Sequence, residues 1–355
     1  MTDGHTSPAQ RVEDLPDHLL EALSPQMRRV LEHQYADEAR RRAELSLPED
    51  PLEAARADYR AERAFWNVGG PAMASTRDVV LPVAGAEVPV RCHRPTNAAR
   101  TGAPAIIFLH GGGFTLGDLD THDRIHRMLA HHSGAVVVAV DYSLSPEAKH
   151  PQAMHETAGV AAHLTVHGEE WGIDPRRLAL AGDSAGAGLS IGAALMLRDD
   201  QVCGLADGAV TGPEVFDRLR SLLLFYGGFG LADSASRRLW GGDWDGMAME
   251  ELSAFTDDAL YADPADADAP WARAITADLS GLPPVLVRSA ALDPLADDSR
   301  AFAELLRRGG VPYDYREAPG ILHSYLHFGR ILDAANETLA EAGVFAAAHA
   351  AGPRR

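Results

Sequence analysis

Leu178 to Leu189 reads Leu-Ala-Leu-Ala-Gly-Asp-Ser-Ala-Gly-Ala-Gly-Leu, and this stretch limits what the chain can fold into more tightly than any other. The apolar run Leu178–Ala181 meets Gly182-Asp183-Ser184-Ala185-Gly186, and a small-residue helix pattern then runs from Ala187 toward Met196. Strand, sharp turn and helix follow in that order. Glycines two positions to either side of Ser184 admit the crowding of strand against helix, because a Cβ there would clash. The turn pushes the serine hydroxyl into the open and sets the Ala185 N–H at a helix N-terminus, where partial positive charge favours an oxyanion. Glycine-rich strand-to-helix turns also serve plain packing, so the rest of the chain has to decide between the two.

The runs Ala105 to Leu109 and Ala135 to Val140 are continuously apolar, the pattern of strands buried on both faces of a parallel sheet. Arg77–Leu81 and Glu87–Arg91 alternate instead, and predict an antiparallel opening pair. Leu178–Ala181, Ser221–Tyr226, Pro284–Ser289 and Pro312–Glu317 continue the series with helical segments between them. An α/β chain with an eight-stranded, mostly parallel, doubly wound sheet follows. Leu15 to Trp66 is helical in pattern, with Pro16 and Pro25 near helix starts. Between Phe229 and Leu279 the strand rhythm stops, and Ser236–Ala262 has helical character. The expected organisation is an N-terminal helical cap segment (1–75), a first core part (76–228), a helical cap insertion (229–279) and a second core part (280–350). The insertion and the N-terminal helices are expected to form a lid together above Ser184.

Composition removes several classes of function. The 32 basic and 51 acidic residues leave a formal charge of −19, which argues against nucleic acid or an anionic membrane as partner. No apolar run reaches the roughly 18 residues of a membrane span, and no leader pattern is visible at the N-terminus, so a cytoplasmic location is expected. Cys92 and Cys203 are too few for a disulfide scaffold or a metal knuckle, and are read as buried, reduced thiols. Ala262–Ala269 resembles a calcium loop but lacks the glycine and glutamate such a loop requires, and is read as a solvated loop.

A serine nucleophile needs a base, a carboxylate to orient that base, and donors where an oxyanion forms. Asp293 follows the run Pro284–Ser289 at the sheet edge where ligands of open α/β sheets collect, although it also fits a helix cap before Pro294. His323 follows the last strand pattern in a similar loop. Ser184, Asp293 and His323 thus stand after successive strands in the chain order of an α/β-hydrolase triad. His110-Gly111-Gly112-Gly113-Phe114 follows an earlier strand and can aim backbone N–H groups at a ligand oxygen; it carries neither phosphate-loop pattern. His110 itself is expected to shape the loop through a hydrogen bond. His122 with His126, and His323 with His327, have helix-face spacing but no H-E-x-x-H glutamate, so no metal is expected.

On these residues the chain resembles the hormone-sensitive-lipase-like branch of the α/β-hydrolases over about residues 60 to 350. The resemblance lies in His110–Gly113, Asp141–Glu147, Gly182–Gly186 and Asp293–Leu295. Within the branch it is similar to bacterial cytoplasmic acetyl esterases, through Gly117–Asp123, Arg237–Gly242 and Asp297–Arg300. The resemblance implies a serine carboxylesterase for acetyl to hexanoyl esters, working through an acyl-enzyme: Ser184 as nucleophile, His323 as acid and base, Asp293 as its orienting partner. Gly112, Gly113 and Ala185 would supply the oxyanion N–H groups, and Phe114, Trp240 and Trp244 are expected in the substrate pocket. Ala187 and Ser143 depart from the branch's common glycine and arginine, which bears on pocket shape. An amidase or N-acetyl hydrolase with the same triad, and a non-catalytic small-molecule receptor, remain as alternatives. The resemblance implies no cofactor of any kind. A small-molecule ester is the expected partner, and monomer and homodimer are both compatible with the sequence. Activity is expected to rise with pH through about 6 to 7, since a catalytic imidazole must be neutral to accept a proton.

Overall fold

Aliphatic and β-branched runs place eight strands in one sheet, in the order β1-β2-β4-β3-β5-β6-β7-β8. The computed structural model describes residues 7–242, 244, 247 and 260–351. The strands are β1 (Met73–Val83), β2 (Ala86–Pro95), β3 (Ala103–Leu109), β4 (Val136–Val140), β5 (Ile173–Asp183), β6 (Leu219–Phe225), β7 (Val285–Ala290) and β8 (Tyr313–Ala318). Ala84 and Gly85, both at positive φ, close β1 onto β2 as an antiparallel hairpin, the backbone a two-residue turn of this twist requires. β2 also pairs antiparallel with β4, while every pairing from β4 to β8 is parallel.

Both faces of the sheet are covered, and β3 shows how. Ala105, Ile107 and Leu109 enter one hydrophobic cluster, whereas Ile106 and Phe108 enter the other, the period-2 split of a strand buried on both sides. The helices Gln152–His167 and Ala185–Arg198 pack on the first face. Asp123–Ser133, Asp333–Ala350 and the N-terminal helices pack on the second.

Those N-terminal helices begin earlier than the sequence pattern suggested. Ser7 caps Pro8–Glu13, Ser24 caps Pro25–Glu44 and Asp50 caps Pro51–Trp66, each with proline at the start, where its missing N–H costs no hydrogen bond. Leu19, Met27, Val30, Leu31 and Trp66 are buried, and the Trp66 ring meets Phe328 edge-on at 4.9 Å. The helices brace loops. Ser24 N–H donates to Gly320 O (2.9 Å), just before His323, and the Arg56 guanidinium donates to Thr115 O (3.0 Å) and Ser145 O (3.2 Å) while pairing with Glu147.

Within the insertion, Ala235–Trp240 is α-helical and Pro264–Asp268 and Ala274–Thr276 are short 3-10 turns. Most of the expected helix Ser236–Ala262 lies outside the described residues. Cys92 is buried as expected, but Cys203 is exposed, since it sits in the turn leaving the helix Ala185–Arg198 rather than inside the sheet. Among the described residues, no helix is long and apolar enough to cross a membrane.

Candidate active site

β5 delivers Ser184 at φ 52° and ψ −119°, a conformation that costs a non-glycine residue about 1–3 kcal/mol and persists only where its surroundings enforce it. They do. A Cβ on Gly182 would stand 2.2 Å from Gly186 O, and one on Gly186 would stand 2.0 Å from Leu109 O. Strand, turn and helix therefore meet at a separation only glycine allows, and the Ser184 N–H is tied to Phe225 O at 2.9 Å.

The loops after β7 and β8 bring Asp293 and His323 to this serine. His323 Nε2 lies 2.8 Å from Ser184 Oγ, and His323 Nδ1 lies 2.7 Å from Asp293 Oδ2. A carboxylate only accepts, so Nδ1 carries the ring proton and Nε2 is left to accept from the serine hydroxyl. Asp293 is fully buried, and its other oxygen accepts the Leu295 N–H at 2.7 Å. Orienting a histidine and capping the following turn, two competing readings of this residue, are combined in one carboxylate.

The glycine loop after β3 reaches the same place. Gly112 (φ 125°) and Gly113 (φ 59°) turn the main chain, and among the described residues the N–H groups of Gly112, Gly113 and Ala185 make no hydrogen bond. Gly113 and Ala185 line the cavity that opens on Ser184; Gly112 is not part of that lining. His110 shapes the loop as expected. Its Nδ1 is 2.9 Å from Gly111 O, its ring stacks on Tyr142 at 4.3 Å, and the Tyr142 O–H donates to His110 O at 2.8 Å.

A further set of residues fixes this loop to the serine turn, and the sequence did not single it out. Asp183, next to the nucleophile, accepts the Gly111 N–H (2.9 Å) and the Tyr226 O–H (3.2 Å), and His122 Nε2 lies 3.3 Å away. Burial by itself would raise the Asp183 pKa, but His122 and the Gly111 N–H outweigh it and hold the carboxyl below its ordinary range. Tyr226 also sets its ring edge-on to His323 at 5.0 Å. The only sequence signal for this anchor was an acid in an otherwise apolar turn, since its partners lie tens of residues away. Among the described residues, His122, Asp183 and His327 form the one donor set within cation-binding reach, their ligand atoms lying within 4.8 Å of one another. The carboxylate of that set is already engaged by Gly111 and Tyr226.

The cavity beside Ser184 has a volume of about 400 Å³. Phe114, Met154 and Leu295 give it apolar wall, and the insertion adds Arg237, Tyr261 and Arg273. Of the residues expected in a substrate pocket, Phe114 lines this cavity. Trp240 and Trp244 are not part of the described lining: they pack against the cluster under the N-terminal helices, with Trp240 beside His18 at 5.7 Å. No residue of the N-terminal helices lines the cavity either, because these helices stand behind the loops they brace. The stretch read as a solvated loop instead folds into the turn Pro264–Asp268, and Pro264, Ala267 and Asp268 form cavity wall. Ser143 and Ala187 do not touch the cavity; Ser143 is bound to Glu156 at 2.6 Å.

Known proteins share this architecture. A profile of the alpha/beta hydrolase fold matches residues 106–327. Acetyl esterases from Salmonella paratyphi B and Salmonella choleraesuis are each 39% identical over 305 residues, covering 85% of this chain and 89% of theirs. Among solved structures, an esterase from Pyrobaculum calidifontis superimposes with a TM-score of 0.79 at 29% identity, covering 93% of this chain and all of that one (100%). A thermostable esterase from Pseudomonas putida gives 0.77 at 26% identity, over 92% of this chain and 98% of its own. With a matched family profile, extended identity to acetyl esterases and a common sheet, the chain belongs to the α/β-hydrolase fold family, in its hormone-sensitive-lipase-like branch.

Proposed function

We propose that this chain is a serine carboxylesterase for small esters with short acyl groups, acetyl to hexanoyl. The observation that carries the reading is the unbroken contact from Asp293 through His323 to Ser184, at 2.7 and 2.8 Å, beside three N–H groups that no described residue engages. His323 takes the serine proton as Oγ attacks the ester carbonyl, and the carbonyl oxygen gathers charge against Gly112, Gly113 and Ala185. The proton passes to the departing alcohol, leaving an acyl-enzyme. Water, deprotonated by His323, attacks that acyl group; the acid leaves and Ser184 recovers its proton. A cavity of about 400 Å³ suits a small ester better than a long-chain lipid. The insertion acts as the cap wall of that cavity, and the acetyl esterase relatives favour the short acyl end of the range.

A p-nitrophenyl ester series of increasing acyl length, run beside p-nitroacetanilide as an amide, tests the reading. The expected result is kcat/KM highest at acetyl to butyryl, falling beyond hexanoyl, with little amide hydrolysis and ester turnover in Ser184→Ala lowered by a factor on the order of 10⁶. Ester hydrolysis by Ser184→Ala at a rate near that of the wild type, or an amide preference, would overturn it.

A further inference from the structure

We propose that the cavity is built for an ester carrying a carboxylate beyond its reacting carbonyl, and that Arg237 together with His150 holds that carboxylate. The proposal rests on the esterase reading and narrows it to acidic esters, such as acetylated hydroxy acids or half-esters of dicarboxylic acids.

Arg237 and His150 line the same cavity as Ser184, and are only 6% and 4% exposed. A buried guanidinium ordinarily distributes its five N–H groups over carboxylates and carbonyls. Arg237 does not. Its Nε has no hydrogen-bond partner among the described residues, and its contact from Nη2 to Asp298 Oδ2 is 3.5 Å, the outer limit of a hydrogen bond. Asp298 divides its carboxylate: Oδ1 accepts the N–H groups of Phe229, Gly230 and Leu231 at 2.9, 3.1 and 3.1 Å, and only Oδ2 is left to face Arg237. That carboxylate ties down the turn after β6 and forms a long ion pair with Arg237, whose Nε keeps no acceptor among the described residues.

The other charges on the cavity wall do not supply the missing partner. Arg273 is paired with Asp268 at 2.6 Å, and the Asp268 side chain is 84% exposed, so water screens this pair and it gives Arg237 no counter-charge. His150 makes no side-chain hydrogen bond among the described residues, and its Nδ1 is buried without a partner. The ring is held instead by Phe114, edge-on at 4.6 Å, and by Tyr261 at 5.3 Å. Its main chain is pinned by Leu260 O and the Ala262 N–H. Burial lowers its pKa to about 4, so at neutral pH the imidazole is uncharged and offers one N–H donor. A donor-only guanidinium and one imidazole N–H match a planar carboxylate. A hydrocarbon tail in the same place would leave both groups dry and unpaired, which is the arrangement that selects most strongly against apolar substrates.

The test compares kcat/KM within two pairs that differ by one carboxylate. p-Nitrophenyl hemiglutarate against p-nitrophenyl valerate probes the acyl side, and acetoxyacetate against its methyl ester probes the alcohol side. In at least one pair the charged-to-neutral ratio should fall by about tenfold or more in Arg237→Gln and return in large part in Arg237→Lys. A ratio unchanged by Arg237→Gln in both pairs overturns the proposal. If Arg237→Gln does not fold, the same ratio in His150→Phe decides, with a several-fold drop expected and no drop overturning it. Calorimetric binding of glutarate separates this claim from the esterase reading. If wild-type protein turns over no ester yet binds glutarate, and His150→Phe loses that binding, the esterase reading fails and the carboxylate site stands; if wild-type protein does not bind glutarate, the site is refuted.

Discussion

Around Ser184 each backbone choice is enforced by a close neighbour. Gly182 and Gly186 meet with no room for a Cβ, Asp183 ties the elbow to the glycine loop, and Asp293 is fully buried against His323. Across the same cavity the described residues of the insertion form a six-residue helix, two 3-10 turns and ion pairs such as Arg273–Asp268, whose carboxylate stands in water. The floor is over-determined and the wall is not. Bond-making needs donors fixed where charge develops, which only a rigid scaffold supplies. Substrate choice needs a few polar groups at the right places, and short turns on a wall are enough to carry them.

That contrast makes predictions of descending size. Ser184→Ala should lower kcat by a factor on the order of 10⁶, with His323→Ala costing about as much and the double variant little more, because the two act as one unit. Additive losses would mean they do not. Asp183→Ala frees the glycine loop from the elbow, so kcat should fall about 10²- to 10³-fold, as for a lost oxyanion donor, with a smaller change in KM. Asp183→Asn, which still offers Gly111 an acceptor, should recover most of that loss; a change confined to KM would place Asp183 outside the floor.

Gly186→Ala forces a Cβ to within 2.0 Å of Leu109 O and should destabilise the fold by about 3 kcal/mol or more in urea unfolding. Acid should also weaken the fold. Burial holds His93, His110 and His150 at pKa values of about 4, against about 6.5 for an unfolded imidazole. Between those values the unfolded chain binds protons that the folded chain refuses. Stability is therefore full above about pH 6.5 and declines as pH falls toward 4, by up to about 1.4 kcal/mol per pH unit for each group. Thermal unfolding midpoints that stay level from pH 7 to 4.5 would contradict this. The smallest effect belongs to the wall: Asp268→Asn removes an exposed ion pair and should change stability by less than about 0.5 kcal/mol.

The inner strands were legible because burial on both faces leaves uninterrupted apolar runs, and each of the eight predicted strands overlaps an observed one, the more exposed edges β1 and β8 included. Ser184, Asp293 and His323 were legible for a related reason: each follows a recognisable strand, and the fold turns sequence order into position at one edge. The anchor at Asp183 was hidden because its partners, Gly111, His122 and Tyr226, are joined only through the tertiary fold, with no periodicity to announce them. Trp240 and Trp244 misled for the opposite reason. A large aromatic in an insertion suits a substrate wall and a packing surface equally well, and here both pack against the cluster under the N-terminal helices. Pro264–Asp268 looked like a solvated loop because much of it is exposed, Asp268 above all, while Pro264, Ala267 and Asp268 also border the cavity.

The central claim, that the three loops make Ser184 a nucleophile, is tested most directly by stoichiometric reaction with diethyl p-nitrophenyl phosphate. One equivalent of p-nitrophenol should be released as activity is lost, with peptide mapping placing the phosphoryl group on Ser184. Folded protein that releases none, or that carries the label on another residue, would contradict it.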